Sequence, residues 1–300
     1  MKRVIRITVL AGVMASAALP VMADDIQSFV SKYTETNGKG YMQPLADAFG
    51  ACMNTGLYRS AHVSRVGFHL TVGVETMTAI IGDGQKTFTA KTENFSPPSS
   101  KKVPTLFGAA QNDSILGIGG ATYWFPGGMN VKKLPLLAPQ VTVGSIMGTD
   151  LTIRWFSYAI GEDFGDIKLF GWGIRHSISQ YMPLLPFVDI AVGYYSQSFK
   201  VGSVVDATAT LISLQGSVSK SILVFYGGIG MESSTLKIAY APEKESAENK
   251  NVEKIRFDLE GGNKMRFTLG AGLNLPGVKL HADYNISTLS TIGLGVGFGL

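Results

Sequence analysis

The 300-residue chain has a single cysteine, Cys52, and four histidines, His62, His69, His176 and His281. One cysteine excludes an internal disulfide, and these five residues form no cluster at metal-ligand spacing, so no metal and no cofactor is expected. Charge is sparse: Asp, Glu, Lys and Arg make up 16 % of the residues, with a net charge of +4. The basic residues are scattered, without an arginine-rich helix or a basic-aromatic patch, which argues against nucleic acid as a partner. Long apolar runs are missing as well. Beyond the N-terminal leader, no segment reaches the ~18 uninterrupted apolar residues of a membrane helix. Yet hydrophobic residues make up 45 % and the mean hydropathy is +0.19. An apolar content that high, without runs, has to be dispersed by alternation.

Residues 1–23 read as a secretory signal peptide. Lys2, Arg3 and Arg6 start it, Ile7 to Leu19 is its apolar stretch, and Val21-Met22-Ala23 precedes the cut. Residues 24–60 carry helical periodicity. Ile26, Phe29, Val30 and Tyr33 recur at i, i+3, i+4 and i+7, and Gln43 to Met53 forms a second helix with Leu45 and Phe49 on one side. Thr34 to Lys39, with two glycines, separates the two. These apolar faces need a surface to bury against. The segment is either a plug in the mouth of the following domain or a periplasmic cap outside it.

Residues 61–300 alternate with period two. In Val278 to Ser287 every even position is apolar and every odd one polar or charged, and Ile292 to Leu300 repeats this with glycine as the second member. Arg65 to Met77, Gln140 to Met147, Thr149 to Ser157, Phe187 to Phe199, Val204 to Gln215, Ile222 to Met231 and Met265 to Leu275 read the same way. Asp166 to Ile178 switches face near Lys168, which suggests a bulge. Ten strands are clear, and the irregular region 86–125 is expected to add more, giving about 12 within a range of 10–14. Tight connections at 147–149, 217–220 and 274–277 alternate with longer ones, the arrangement of a transmembrane antiparallel up-and-down β-barrel with its C-terminus in the periplasm.

In such a barrel the polar phase lines the lumen. That phase holds Arg65, His69, Glu75, Arg154, Arg175, Asp189, Arg256, Asp258, Lys264, Arg266, Lys279, His281 and Asp283. Glycines 67, 73, 171, 173, 193, 293, 295 and 297 leave shallow hollows where the helical segment could dock. No catalytic residues are assigned. His176 and Ser177 point to opposite faces, and His281 with Asp283 is explained by a polar lumen wall.

The leader, the alternating strands and the final Gly297-Phe298-Gly299-Leu300 resemble the outer-membrane β-barrel proteins of Gram-negative bacteria. The stretch Tyr41-Met42-Gln43-Pro44-Leu45, Asn54-Thr55-Gly56, Ser60-Ala61 and Gly67-Phe68 resembles the start of an uncharacterised family of bacterial barrels. A helical segment ahead of a mid-sized barrel is also similar to the plan of the long-chain fatty-acid channels. The resemblance implies an outer-membrane location, contact with outer-membrane lipid and the barrel-assembly machinery, and a passive channel for small solutes, hydrophobic ones included. A lipid-modifying enzyme and a closed structural or adhesive barrel are the alternatives.

Overall fold

A computed structural model describes residues 33, 35–92, 98–116, 120–161, 165–182, 188–240 and 255–299. The expected helix at Asp24 to Tyr33, with Ile26, Phe29 and Val30, lies outside the described residues except for Tyr33. Helix α1 spans Glu35–Met53. The strands are β1 (His69–Ile80), β2 (Thr87–Lys91), β3 (Ser100–Pro104), β4 (Asp113–Leu116), β5 (Thr122–Phe125), β6 (Lys133–Ile146), β7 (Thr149–Gly161) and β8 (Gly165–Ser177). They continue as β9 (Asp189–Val201), β10 (Val205–Lys220), β11 (Leu223–Tyr240), β12 (Ile255–Glu260), β13 (Met265–Leu275), β14 (Val278–Ile286) and β15 (Thr291–Gly299).

Antiparallel pairing runs β10-β9-β8-β7-β6-β1-β15-β14-β13-β11, and β11 pairs back with β10, closing the sheet. Among the described residues the ring therefore has ten strands, not twelve. The additional strands expected in 86–125 do form, but β2 pairs only with β3 and β4 only with β5, outside the ring. They fold over α1: Phe88 packs on Tyr41 with ring centroids 6.5 Å apart, and the Asn37 amide exchanges two hydrogen bonds with the Lys91 backbone. We call this the cap end. The other end, the turn end, carries the hairpins at 147–148, 221–222 and 276–277 together with the start of β1 and the end of β15. The 217–220 turn is thus displaced: β10 continues to Lys220, and Ser221 takes a positive φ of 56° in the connection.

β12 and β13 are two halves of one strand. Both pair with β11, Thr235 opposite Glu260 and Met231 opposite Met265. Four steps on β11 are matched by five on its partner, which makes 261–264 a one-residue bulge. Helix α1 pins it, because Asp47 accepts the Gly262 N–H at 2.7 Å and Gln43 donates to the Glu260 carbonyl. The bulge reverses the faces. Phe257 and Leu259 point inward before it, and Arg266 and Thr268 point inward after it.

The ring also changes character along its axis, on strands with no bulge at all. In the turn half the outer face is apolar, with Val72, Trp155, Phe170, Ile212, Leu269 and Leu294 exposed, and the inner face is polar apart from a patch at Tyr195, Leu211, Val224 and Tyr226. In the cap half the pattern inverts. Leu136, Leu169, Phe199, Ala207, Leu236 and Phe257 are buried inside, whereas Lys168, Lys200 and Lys237 stand outside and pair with Asp166, Asp206 and Asp258 at 2.8, 3.0 and 4.0 Å. The face switch near Lys168 has this cause. β8 keeps its register with β9 from Ile167 to Ser177, so no bulge sits there; the environment changes while the pleat continues.

The apolar inner wall of the cap half receives α1, which is buried nearly all round: Tyr41, Met42, Leu45, Cys52 and Met53 are almost fully enclosed, and Phe49 stacks on Phe199 at 5.0 Å. Burial of each large apolar side chain stabilises by about 1.5–3 kcal/mol. That is enough to carry the helix through Asn37-Gly38-Lys39-Gly40 and Pro44, where a break at 34–39 was expected from local propensity. The helix sits on apolar wall rather than in the glycine hollows. Those hollows serve neighbouring wall side chains: a Cβ at Gly173 or Gly193 would strike Tyr195, at Gly293 Asp283, and at Gly295 His281.

Candidate functional site

The centre of the ring is a seat for the C-terminus of α1. Four carbonyls at a helix end lack intrahelical donors and carry the negative end of the helix dipole. Here Gly50 and Cys52 accept the backbone N–H groups of Asn54 and Thr55, and two arginines meet Ala51, Met53 and the carbonyls that follow the helix. Arg154 on β7 donates to the carbonyls of Met53 at 3.0 Å and of Thr55 and Gly56 at 2.7 Å each. Arg266 on β13 donates to Ala51 and Asn54 at 2.7 Å and to the Thr55 hydroxyl at 2.8 Å. Both guanidinium groups are almost completely buried. Gln140 accepts the Arg154 Nε–H at 2.7 Å, and Glu232 lies 3.0 Å from Arg266. Gln197 adds a further donor to the Met53 carbonyl. Gly56, with φ of +67°, turns the chain out of the helix between Arg154 and Glu75.

From Gly56 the chain runs on through the turn half. Leu57 and Tyr58 pack with Tyr195, Leu211, Val224 and Tyr226, and the Tyr58 and Tyr226 rings meet edge to face at 5.9 Å. Ser217 accepts the Ala61 N–H at 2.9 Å, and Arg175 donates to the Ser60 carbonyl. Below this segment, at the turn end, a vestibule of about 490 Å³ opens outward. Arg59, His62, His69, Ser145, Arg175, Asp189 and Lys279 are among its lining residues. Asp150 pairs with Arg175, and His62 Nδ1 lies 3.0 Å from Asp189. That hydrogen bond to the Asp189 carboxylate raises the His62 pKa above its usual value.

Of the residues expected to line the lumen, Glu75, Arg154, Arg175, Asp189, Arg266, Lys279, His281, Asp283 and the half-buried His69 do face the interior. Four do not. Arg256 and Asp258 lie on the outer face of the cap half, because the bulge after them reverses the pleat. Lys264 is exposed in that bulge, and Arg65 is exposed ahead of β1, which begins at His69 rather than Arg65. Leu45, Phe49 and Tyr33 are buried as expected of the helical segment; Tyr33 packs 5.1 Å from Tyr41. Arg59, His62, Asp150, Gln140, Gln197 and Glu232 went unassigned from sequence. The last four stand on inward strand positions, and the first two lie in a segment without periodicity.

Two arrangements bear on catalysis. His281 Nε2 is 3.0 Å from Glu75 Oε2, but out of hydrogen-bond alignment. His69 Nδ1 is 3.0 Å from Ser145 Oγ, and Ser145 has φ of +71°. The third member of that set, Asp150, is 3.7 Å from His69 Nε2, beyond a hydrogen bond, and it is engaged by Arg175 and the Ser145 N–H. The orienting carboxylate of a nucleophilic triad is therefore committed elsewhere. Among the described residues, no group of three or more His, Cys, Asp or Glu side chains is placed to hold a metal ion. No helix among them is long and apolar enough to cross a membrane.

Solved structures with a similar outline are barrels of several kinds. The outer membrane protease OmpT from Escherichia coli is 8 % identical, with 79 % of this chain and 97 % of that one covered and a TM-score of 0.35. Ail, the attachment invasion locus protein of Yersinia pestis, is 8 % identical over 78 % and 100 %, with a TM-score of 0.29. The toluene transporter TbuX of Ralstonia pickettii is 8 % identical over 83 % and 92 %, with a TM-score of 0.28. Scores this low carry no functional information, and the ring is defined by its own strand register. No curated protein matches the sequence. The family of unknown function DUF6588 matches it over residues 1–300, end to end, and the chain belongs to that family.

Proposed function

We propose that the protein is an outer-membrane β-barrel that admits small polar solutes at its turn end and is held shut by α1. Membrane insertion is supported by the turn half, whose apolar outer face and polar inner face suit lipid outside and water within. The ion pairs on the outside of the cap half belong in water, so the bilayer surrounds the turn half alone. With tight turns on the periplasmic side, the vestibule opens to the periplasm and the cap end to the exterior.

The observation that carries the gate is the seat of α1. The helix end is held by hydrogen bonds from Arg154 and Arg266, contacts that can be broken and remade. Solute passage requires α1 and residues 54–61 to leave the centre. The polar vestibule favours polar solutes over the hydrophobic ones of the fatty-acid channels.

Cys52, fully buried on α1 and the sole cysteine, is a built-in reporter. In planar bilayers the intact protein is expected to conduct rarely. Arg154→Gln combined with Arg266→Gln should raise open time and speed maleimide labelling of Cys52 together. A folded double variant that is as silent as the intact protein would sink the gate and leave a permanently closed structural barrel, the reading that the filled centre also favours.

A further inference from the structure

We propose that the inner end of the vestibule binds a small oxyanion between Arg59 and Lys279. The proposal assigns a chemical class to the solute of the channel reading, and rests on that reading for its role but not for its geometry.

Arg59 Nη2 and Lys279 Nζ both donate to one oxygen, Thr71 Oγ1, at 3.0 and 3.2 Å. Arg59 comes from the coil below α1, Lys279 from β14 and Thr71 from β1, so three separate segments converge there. A hydroxyl has two acceptor lone pairs and one proton. With both lone pairs taken, the Thr71 O–H is left as a third donor.

Charge is unbalanced at this point. Among the described residues, no carboxylate forms an ion pair with Arg59 or Lys279. Of the nearby acids, Asp150 pairs with Arg175 and Asp189 bonds to His62, while Glu75 lines the niche beside His281 and pairs with neither Arg59 nor Lys279. Two cations drawn to one neutral oxygen repel each other, and an anion placed between them reverses the sign of that interaction. A planar guanidinium and an ammonium together suit a carboxylate or phosphate, the first by its paired N–H groups and the second as a point charge.

The space fits as well. Both side chains line the 490 Å³ vestibule, which is open to the turn end. They also line the niche above it, of about 10 Å³, which has room for one water at most. An anion entering from outside therefore stops at the two cations, on the vestibule side of the niche.

The test is calorimetric titration of the folded protein in uncharged detergent with inorganic phosphate, and in parallel with acetate, which separates a phosphate site from a carboxylate site. Saturable one-to-one binding of at least one of them is expected. Arg59→Gln and Lys279→Gln should each weaken it about tenfold, the effect of one charge-assisted hydrogen bond. Lys279→Arg should keep most of it, and Lys200→Gln, on the outer face of the cap half, all of it. Heat-dependent gel mobility verifies that each variant is folded. Binding of neither anion, or binding that survives in a folded Arg59→Gln/Lys279→Gln protein, would overturn the site. Binding without conductance in the gate variants would leave the site and remove the channel, whereas conductance without binding would do the reverse.

Discussion

Arg154 and Arg266 reach the same helix end from opposite walls of the barrel. Their strands, β7 and β13, are five positions apart in either direction around the ten-stranded ring. Between them they hold the carbonyls of Ala51, Met53, Asn54, Thr55 and Gly56. A pair so placed ties the ring across its diameter as well as closing the helix, so its loss should be felt in both.

Arg266→Ala leaves Glu232 buried without its cation. The expected cost is about 3–5 kcal/mol, the usual result of removing one partner of a buried pair. Urea-induced unfolding followed by gel mobility would measure it. A midpoint unchanged from that of the intact protein would mean that water replaces the guanidinium.

The inversion of the wall predicts opposite tolerances on a single face of a single strand. Ile212 and Thr208 both point outward from β10, four residues apart. Ile212→Arg should cost about 2–4 kcal/mol if it lies near the bilayer midplane. Thr208→Arg should change stability by less than about 0.5 kcal/mol, as at an ordinary wet surface. Equal costs would place both residues in one environment and contradict the division into halves. On β14, within the turn half throughout, Leu280→Arg and Ala282→Arg should both be costly.

Asp47→Ala removes the acceptor of the Gly262 N–H. Gly262 is exposed, so water can replace the acceptor, and the cost should be about 0.5–1.5 kcal/mol, the net worth of one hydrogen bond. Amide exchange at Gly262 and Asn263 should accelerate while the β13–β14 amides stay protected. If protection is lost evenly around the ring, the bulge is not a separately held feature.

His62 should titrate above its usual value of about 6.5, because the Asp189 carboxylate accepts its proton-bearing form. A histidine whose folded pKa is raised contributes stability below the unfolded pKa and loses it as pH rises through the folded one. The contact therefore favours the folded vestibule below about pH 6.5 and releases above the shifted value. His62 is largely exposed, so the readout is its own ring resonance, not global unfolding. Asp189→Asn should return the resonance midpoint toward the ordinary value; an unmoved midpoint would assign the shift to another group.

Period-two alternation was enough to identify strands, their approximate bounds and a closed antiparallel sheet, because the pleat sends successive side chains to opposite faces whatever surrounds them. It also placed Glu75, Arg154, Arg266, His281 and Asp283 on the inner wall. Alternation alone could not say what each face meets. Phe257 and Leu259 look like lipid-facing residues beside Arg256 and Asp258, yet they face the helix, since a one-residue bulge and a change of medium along the axis both reverse the reading. The helix itself was half legible. Leu45 and Phe49 declared an apolar face, but Asn37, Gly38, Gly40 and Pro44 argue locally for a break, and only enclosure by the ring overrides them. The convergence of Arg59 with Lys279 on Thr71, and of Arg154 with Arg266 on one helix end, joins residues more than a hundred positions apart in sequence. Closure of the sheet decided those meetings, because a ring of ten strands leaves its inward side chains a space narrow enough that opposite walls share the same partners.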